Sequence, residues 1–137
     1  MRSTDTAFSL FIGLGRLIKS RMHAHACPTL PQLETLDFIA RTPHAPTMRE
    51  LAGHLRIKAP SATVLVDELV RARLVVRAHG TLDKRAVGLA LTAHGRRMLK
   101  QSTARREKVI GQLLKPLSAR DRAALNRILA RIIATNQ

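Results

Sequence analysis

The 137-residue sequence predicts a mostly helical α+β fold in which six helices are interrupted by one β-hairpin. Apolar residues recur at three- and four-residue steps through most of the chain, the period of amphipathic helices. Thr47 followed by Glu50 is a capping box that opens a short helix, and a second helix follows after a tight break, which suggests helix-turn-helix geometry. Between Leu74 and Leu91 the period changes to two around a cluster of turn residues, the pattern of a hairpin.

The first helix is expected from about Thr6 to His25, with Phe8, Phe11, Ile12, Gly15, Ile18 and Met22 on one face and Thr4 or Asp5 as its cap. Cys27 to Leu30 reads as a connector. Pro31 suits a helix start, because the N–H it lacks has no partner there. Leu33, Leu36, Ile39 and Ala40 then line a second, short helix that Pro43 and Pro46 end. The capping box places a third helix from about Met48 to Leu55. After a break at Arg56 to Lys58, Val64, Leu65, Leu69 and Ala72 share one side of a fourth helix, Pro60 to Ala72. Leu74, Val75 and Val76 begin the hairpin, His79 to Asp83 supply its turn, and Val87, Leu89 and Leu91 return. Thr92 is placed to cap a fifth helix from about Ala93 to Leu114. Ser118 and Asp121 repeat the capping pattern ahead of a sixth, striped by Leu125, Ile128, Leu129, Ile132 and Ile133.

Composition narrows the function. Twenty-four Lys and Arg against nine Asp and Glu leave a formal charge of +15, and such an excess costs self-repulsion unless an anionic partner offsets it. Double-stranded DNA is the expected partner. No apolar run approaches the roughly 20 residues that span a bilayer, and the N-terminus lacks the pattern of a secretory signal. The expectation is a cytoplasmic, nucleoid-associated protein without a membrane partner. The lone Cys27 forms no internal disulfide and reads as a buried, inert thiol rather than a redox sensor.

Catalysis is not expected: the chain has no Gly-rich phosphate loop, no paired carboxylates at useful spacing and no nucleophile elbow. Of its few acids, Glu50 and Asp121 are committed to caps. His23, His25 and Cys27 invite a metal reading, yet on a continuing helix residues two apart point about 160° away from each other. Neither a metal nor a cofactor is therefore expected. The first and last helices each carry a broad apolar face that so small a chain cannot cover, and pairing with a second copy buries it.

The order of elements, with Thr47-Met-Arg-Glu-Leu-Ala-Gly-His-Leu in the first motif helix and Ser61-Ala-Thr-Val-Leu-Val-Asp-Glu-Leu in the second, resembles the MarR family of bacterial winged helix-turn-helix regulators. Asp83-Lys-Arg-Ala and Leu91-Thr-Ala-His-Gly extend the resemblance through the wing, and it covers nearly the whole chain. It implies one MarR-like chain over 1–137, with a DNA-binding lobe at 30–95 and dimerisation helices at 5–26 and 96–137. It further implies a sequence-specific regulator, a repressor acting as a homodimer on a pseudo-palindromic operator. The alternative is an architectural protein that coats DNA with little sequence preference.

In such a motif the second helix lies in the major groove with its N-terminal residues nearest the base edges. Ser61 and Thr63 are then placed to hydrogen-bond bases or phosphates, Ala59, Pro60 and Val64 to meet the groove, and Lys58 to meet a phosphate. The competing reading is that Ser61 and Thr63 only satisfy the first turn of their helix. Relatives often carry Ser near Lys58 and Arg near Val64, so discrimination here leans more on DNA shape. At the wing, the resemblance implies that Arg85 enters the minor groove and Asp83 orients it; a solvated turn ion pair is the plainer alternative. Arg49, Arg56, Arg77 and Lys84 are candidate phosphate contacts. The resemblance also implies a pocket for a small lipophilic effector near His23, Cys27 and Leu30.

Overall fold

The computed structural model describes residues 3–22, 28–79 and 87–136. Eight elements follow one another: α1 (Ser3–Met22), α2 (Leu30–Arg41), α3 (Met48–Leu55), α4 (Ala59–Arg71), β1 (Val75–His79), β2 (Val87–Leu91), α5 (Ala93–Leu113) and α6 (Ala119–Thr135). They are the six helices and single hairpin that the periodicities predict. The chain divides into two compact units, the first made of residues 1–24 and 105–137 and the second of residues 25–104. The division falls within α5.

The second unit closes around its own core. Leu33, Leu36 and Ile39 from α2, Leu51 from α3, Val66 and Leu69 from α4, Leu74, and the hairpin residues Val75, Leu89 and Leu91 form one buried cluster. Sequence-local devices hold each helix end. Thr29, not Pro31, starts α2: its N–H donates to Gln32 Oε1 at 2.9 Å while its hydroxyl accepts from the Gln32 N–H, so the supposed connector ends in a second capping box. At α3 the predicted box forms, with the Thr47 N–H donating to Glu50 Oε2 at 2.7 Å and the Glu50 N–H donating to Thr47 Oγ1 at 3.2 Å.

The turn between α3 and α4 passes through Arg56 in the left-handed region, φ 54°. That conformation lets the Ile57 N–H reach back to the Ala52 carbonyl, satisfying an acceptor at the helix end. α4 opens at Ala59, and its N-cap Lys58 has no side-chain cap hydrogen bond.

β1 and β2 pair antiparallel, Val75 opposite Leu91 and Arg77 opposite Leu89. β2 is held on its other edge as well, by a bridge between Thr47 and Gly88 and by the Leu89 N–H donating to the Pro46 carbonyl at 2.8 Å. The hairpin is thereby tied to the start of α3. Gly88 is required at this junction, since a Cβ there would stand 2.6 Å from that of Ala45. Thr92 caps α5 as predicted, its hydroxyl accepting from the Gly95 N–H at 2.9 Å and donating to the Arg73 carbonyl at 2.6 Å.

In the first unit, α1 begins at Ser3, so Thr4 and Asp5 lie inside its first turn and do not cap it. Ser118 caps α6 by accepting from the Asp121 N–H, but the Asp121 carboxylate accepts from the Ser118 hydroxyl instead of from the cap's backbone. Among the described residues of this unit, Val109 alone is a buried apolar side chain. Phe8, Leu10, Phe11, Ile12, Leu14 and Leu17 on α1 and Ile128, Leu129, Ile132 and Ile133 on α6 stay exposed.

Candidate nucleic-acid interface

The packing of α4 decides what its sequence can present. Ala62, Val66 and Leu69 are buried, and at 3.6 residues per turn the opposite face carries Pro60, Thr63, Val64, Asp67 and Arg71. Lys58, Ala59, Pro60, Ser61, Thr63 and Val64 are all exposed, Val64 to 58%. The N-terminal end of this helix is therefore an open surface. Its first amides, free of helical acceptors, add a partial positive charge that suits phosphate.

The two hydroxyls differ. Thr63 Oγ1 donates to the Ala59 carbonyl at 3.1 Å, so its proton is spent within the helix and only its acceptor capacity faces outward. Among the described residues Ser61 has no such partner, and its hydroxyl is available both to donate and to accept.

Arg77 on β1 is engaged rather than loose. Its Nη2 lies 2.5 Å from Asp67 Oδ1 on the outward face of α4, tying this helix to the root of the hairpin. Both side chains are more than a third exposed, so the pair adds little stability, yet the unused guanidinium donors stay open to a phosphate. Asp67 is the residue that sequence reasoning missed. It is an acid four residues beyond Thr63, on the same helix face, but nothing local links it to an arginine ten positions on.

Arg49 is exposed on α3, and Arg56 is exposed at the cap of that helix. The neighbouring Glu50 has its carboxyl held below the usual carboxylate range, first by the Thr47 N–H and then by His44, whose Nε2 lies 2.9 Å from Glu50 Oε1. His54 stacks on Phe38 with ring centroids 4.3 Å apart, which assigns it to packing. Asp83, Lys84 and Arg85 lie outside the described residues, as do His23 and Cys27. Leu30 is exposed at the first position of α2. A recess elsewhere in the second unit is lined by Ile39, Thr42, His44, Leu89, Leu91 and Arg96, and does not include Leu30.

A sequence profile of the MarR family matches residues 28–86, from just before the cap of α2 through β1, and stops short of β2. Over these residues the chain resembles a MarR-family winged helix-turn-helix. In MarR terms α3 and α4 are the helix-turn-helix and the hairpin is the wing. Over 83 residues the chain is 26% identical to the HTH-type transcriptional repressor MdtR of Bacillus subtilis, a match covering 61% of this chain and 54% of MdtR, about half the length of that relative. A mutant of MepR from Staphylococcus aureus superposes with a TM-score of 0.81 at 18% identity, over 100% of both chains. A second MepR mutant, bound to an oligodeoxyribonucleotide, superposes at 0.66 with 21% identity over 96% of this chain and 98% of that one. These likenesses fix the MarR-type fold. Among the described residues no helix is long and apolar enough to cross a membrane.

Proposed function

We propose that the protein is a sequence-specific regulator of transcription that reads double-stranded DNA through α4 and the wing and performs no chemistry. The observation that carries this reading is the outward N-terminal end of α4, where Lys58, Ala59, Pro60, Ser61, Thr63 and Val64 stand exposed on a helix whose other face is locked into the core. Ser61 and Thr63 offer polar contacts to base edges, Ala59, Pro60 and Val64 offer apolar contact to thymine methyls, and Lys58, Arg49, Arg56 and Arg77 meet phosphates. Lys84 joins the phosphate contacts, while Arg85 enters the minor groove beside Asp83.

The bare apolar faces of α1 and α6 support a homodimer, because a patch of this extent is a partner surface on a stable protein. A twofold dimer sets two recognition helices about one DNA turn apart, and so calls for a pseudo-palindromic operator whose occupation represses transcription. The effector would be a small lipophilic molecule near His23, Cys27 and Leu30. Cytoplasm and nucleoid are where such a regulator works.

Selection of bound fragments from a random duplex pool tests the proposal. It should return two inverted half-sites, preferred over scrambled duplex by about 10³-fold or more, and Arg85→Ala should weaken binding to that site by about 1 to 3 kcal/mol. An unenriched pool would instead favour the architectural reading, to which the uncharged Val64 on the reading face lends weight.

A further inference from the structure

The charge of the chain is not concentrated where it reads DNA. The 24 cations divide evenly, twelve to each unit, whereas the nine acids divide into three in the first unit and six in the second. The smaller unit, outside the winged-helix lobe, therefore holds the larger share of the net charge.

On α6 this charge is ordered. At about 100° per residue, Arg120, Arg127 and Arg131 fall within about 40° of one another around the helix, and their stripe lies about 150° from the apolar stripe of Leu125, Ile128, Leu129, Ile132 and Ile133. A copy that covers the apolar stripe leaves the arginines in solvent. All three are exposed, and none makes an ion pair among the described residues. The other charges of the helix are occupied elsewhere, Arg122 donating to the Leu114 carbonyl and Asp121 bonded within the cap. Ala123, Ala130 and Ala134 flank the stripe, so no bulk keeps a partner's backbone away. With a rise of about 1.5 Å per residue the stripe is about 16 Å long.

We propose that this face binds the phosphate backbone of a DNA duplex other than the one the winged helix reads, so that one dimer holds two DNA segments. Duplex DNA presents one negative charge per about 1.7 Å of axis, a linear array that a straight row of cations matches. Arginine, the only cation type on α6, meets phosphate bidentately. A lipid surface fits less well, because an interfacial helix inserts its apolar face beside its cations, and here those faces oppose each other. The inference rests on the DNA-binding reading above for the nature of the partner.

The test is two-duplex capture. A dimer is loaded on the immobilised selected duplex, and a labelled random-sequence duplex is then presented. Wild type captures it. The Arg120→Ala/Arg127→Ala/Arg131→Ala variant should load equally and stay dimeric, but capture at least about tenfold less, with the log–log salt slope of capture reduced by about 2.7. The triple Arg→Lys variant should keep that slope. Equal capture by the alanine variant overturns the proposal, as does wild type that captures no second duplex but binds anionic phospholipid vesicles through these arginines.

If the winged helix selects no duplex at all, the DNA-reading assignment fails separately. The α6 face is then measured on random duplex in an Arg49→Ala/Lys58→Ala background. There the three alanine substitutions must still remove the same slope, and an unchanged slope overturns the proposal.

Discussion

Leu36, Leu51, Val66 and Leu89 in the second unit are wholly removed from solvent, while Phe8, Phe11 and Ile133 in the first remain more than half exposed. Both units are helical and rich in Leu, Ile and Ala, so composition does not separate them. Closure does: α2, α3, α4 and the hairpin surround one core, whereas α1 and α6 carry apolar stripes that nothing in the described chain covers. The winged-helix lobe is stable through its own packing. If a second copy covers these stripes, as proposed, the stability of the terminal helices is a function of concentration.

The sharpest way to break this comparison is to damage each unit. Leu51→Ala should cost roughly 3 kcal/mol of unfolding free energy, equally at all protein concentrations in urea titrations. Ile132→Asp should leave the lobe folded yet weaken dimerisation at least about tenfold by sedimentation, because it sets a charge into the stripe that a second copy is proposed to cover. A monomeric wild type, or an Ile132→Asp variant that dimerises normally, would contradict the assignment of the two surfaces.

Next in size is Gly95→Ala. A Cβ at this position would lie 2.0 Å from the Leu74 carbonyl oxygen, so α5 would have to move off the bend that joins α4 to β1. A loss of about 2 kcal/mol in chemical denaturation is expected, and wild-type stability would show that the junction yields freely.

Much of the lobe was legible because its signals are local. Thr47 with Glu50, Thr92 ahead of α5 and the period change after Leu74 each act within a few residues. The Thr29 and Gln32 pair obeys the same capping rule and was readable, but Pro31 drew attention to the wrong start. What was not legible joins distant positions: Asp67 with Arg77 across a helix and a strand, Gly88 against Ala45, Gly95 against Leu74. These need the fold before their reason exists. The overall charge was plain in the composition, while its skew toward the first unit follows from where the acids fall.

Smaller effects sharpen the picture inside the lobe. Arg73 has φ 58°, a left-handed conformation that costs a non-glycine residue roughly 1–2 kcal/mol. Because glycine gives back part of this in unfolded-state entropy, Arg73→Gly should raise stability by about 1 kcal/mol; a loss would mean that the arginine side chain matters more than its backbone. The smallest effect concerns acid. The folded-state pKa of Glu50 lies below its ordinary value of 4.5, so the stability it contributes is present above that value and is lost as pH falls through the folded pKa. Glu50→Gln keeps the capping geometry without the charge. Its denaturation midpoint should fall less than that of wild type between about pH 5 and 3, and identical acid profiles would remove Glu50 from the account.

The most direct test compares the two regions at single amides. Ala59 and Ser61 in the first turn of α4, like Ala119 and Arg120 in the first turn of α6, have no helical acceptor and exchange their protons rapidly. On adding one equivalent of a short selected duplex per dimer, hydrogen exchange followed by NMR should slow at Ala59 and Ser61 and stay unchanged at Ala119 and Arg120. Protection confined to α6, with α4 untouched, would contradict the claim that the winged helix is the part of this protein that reads DNA.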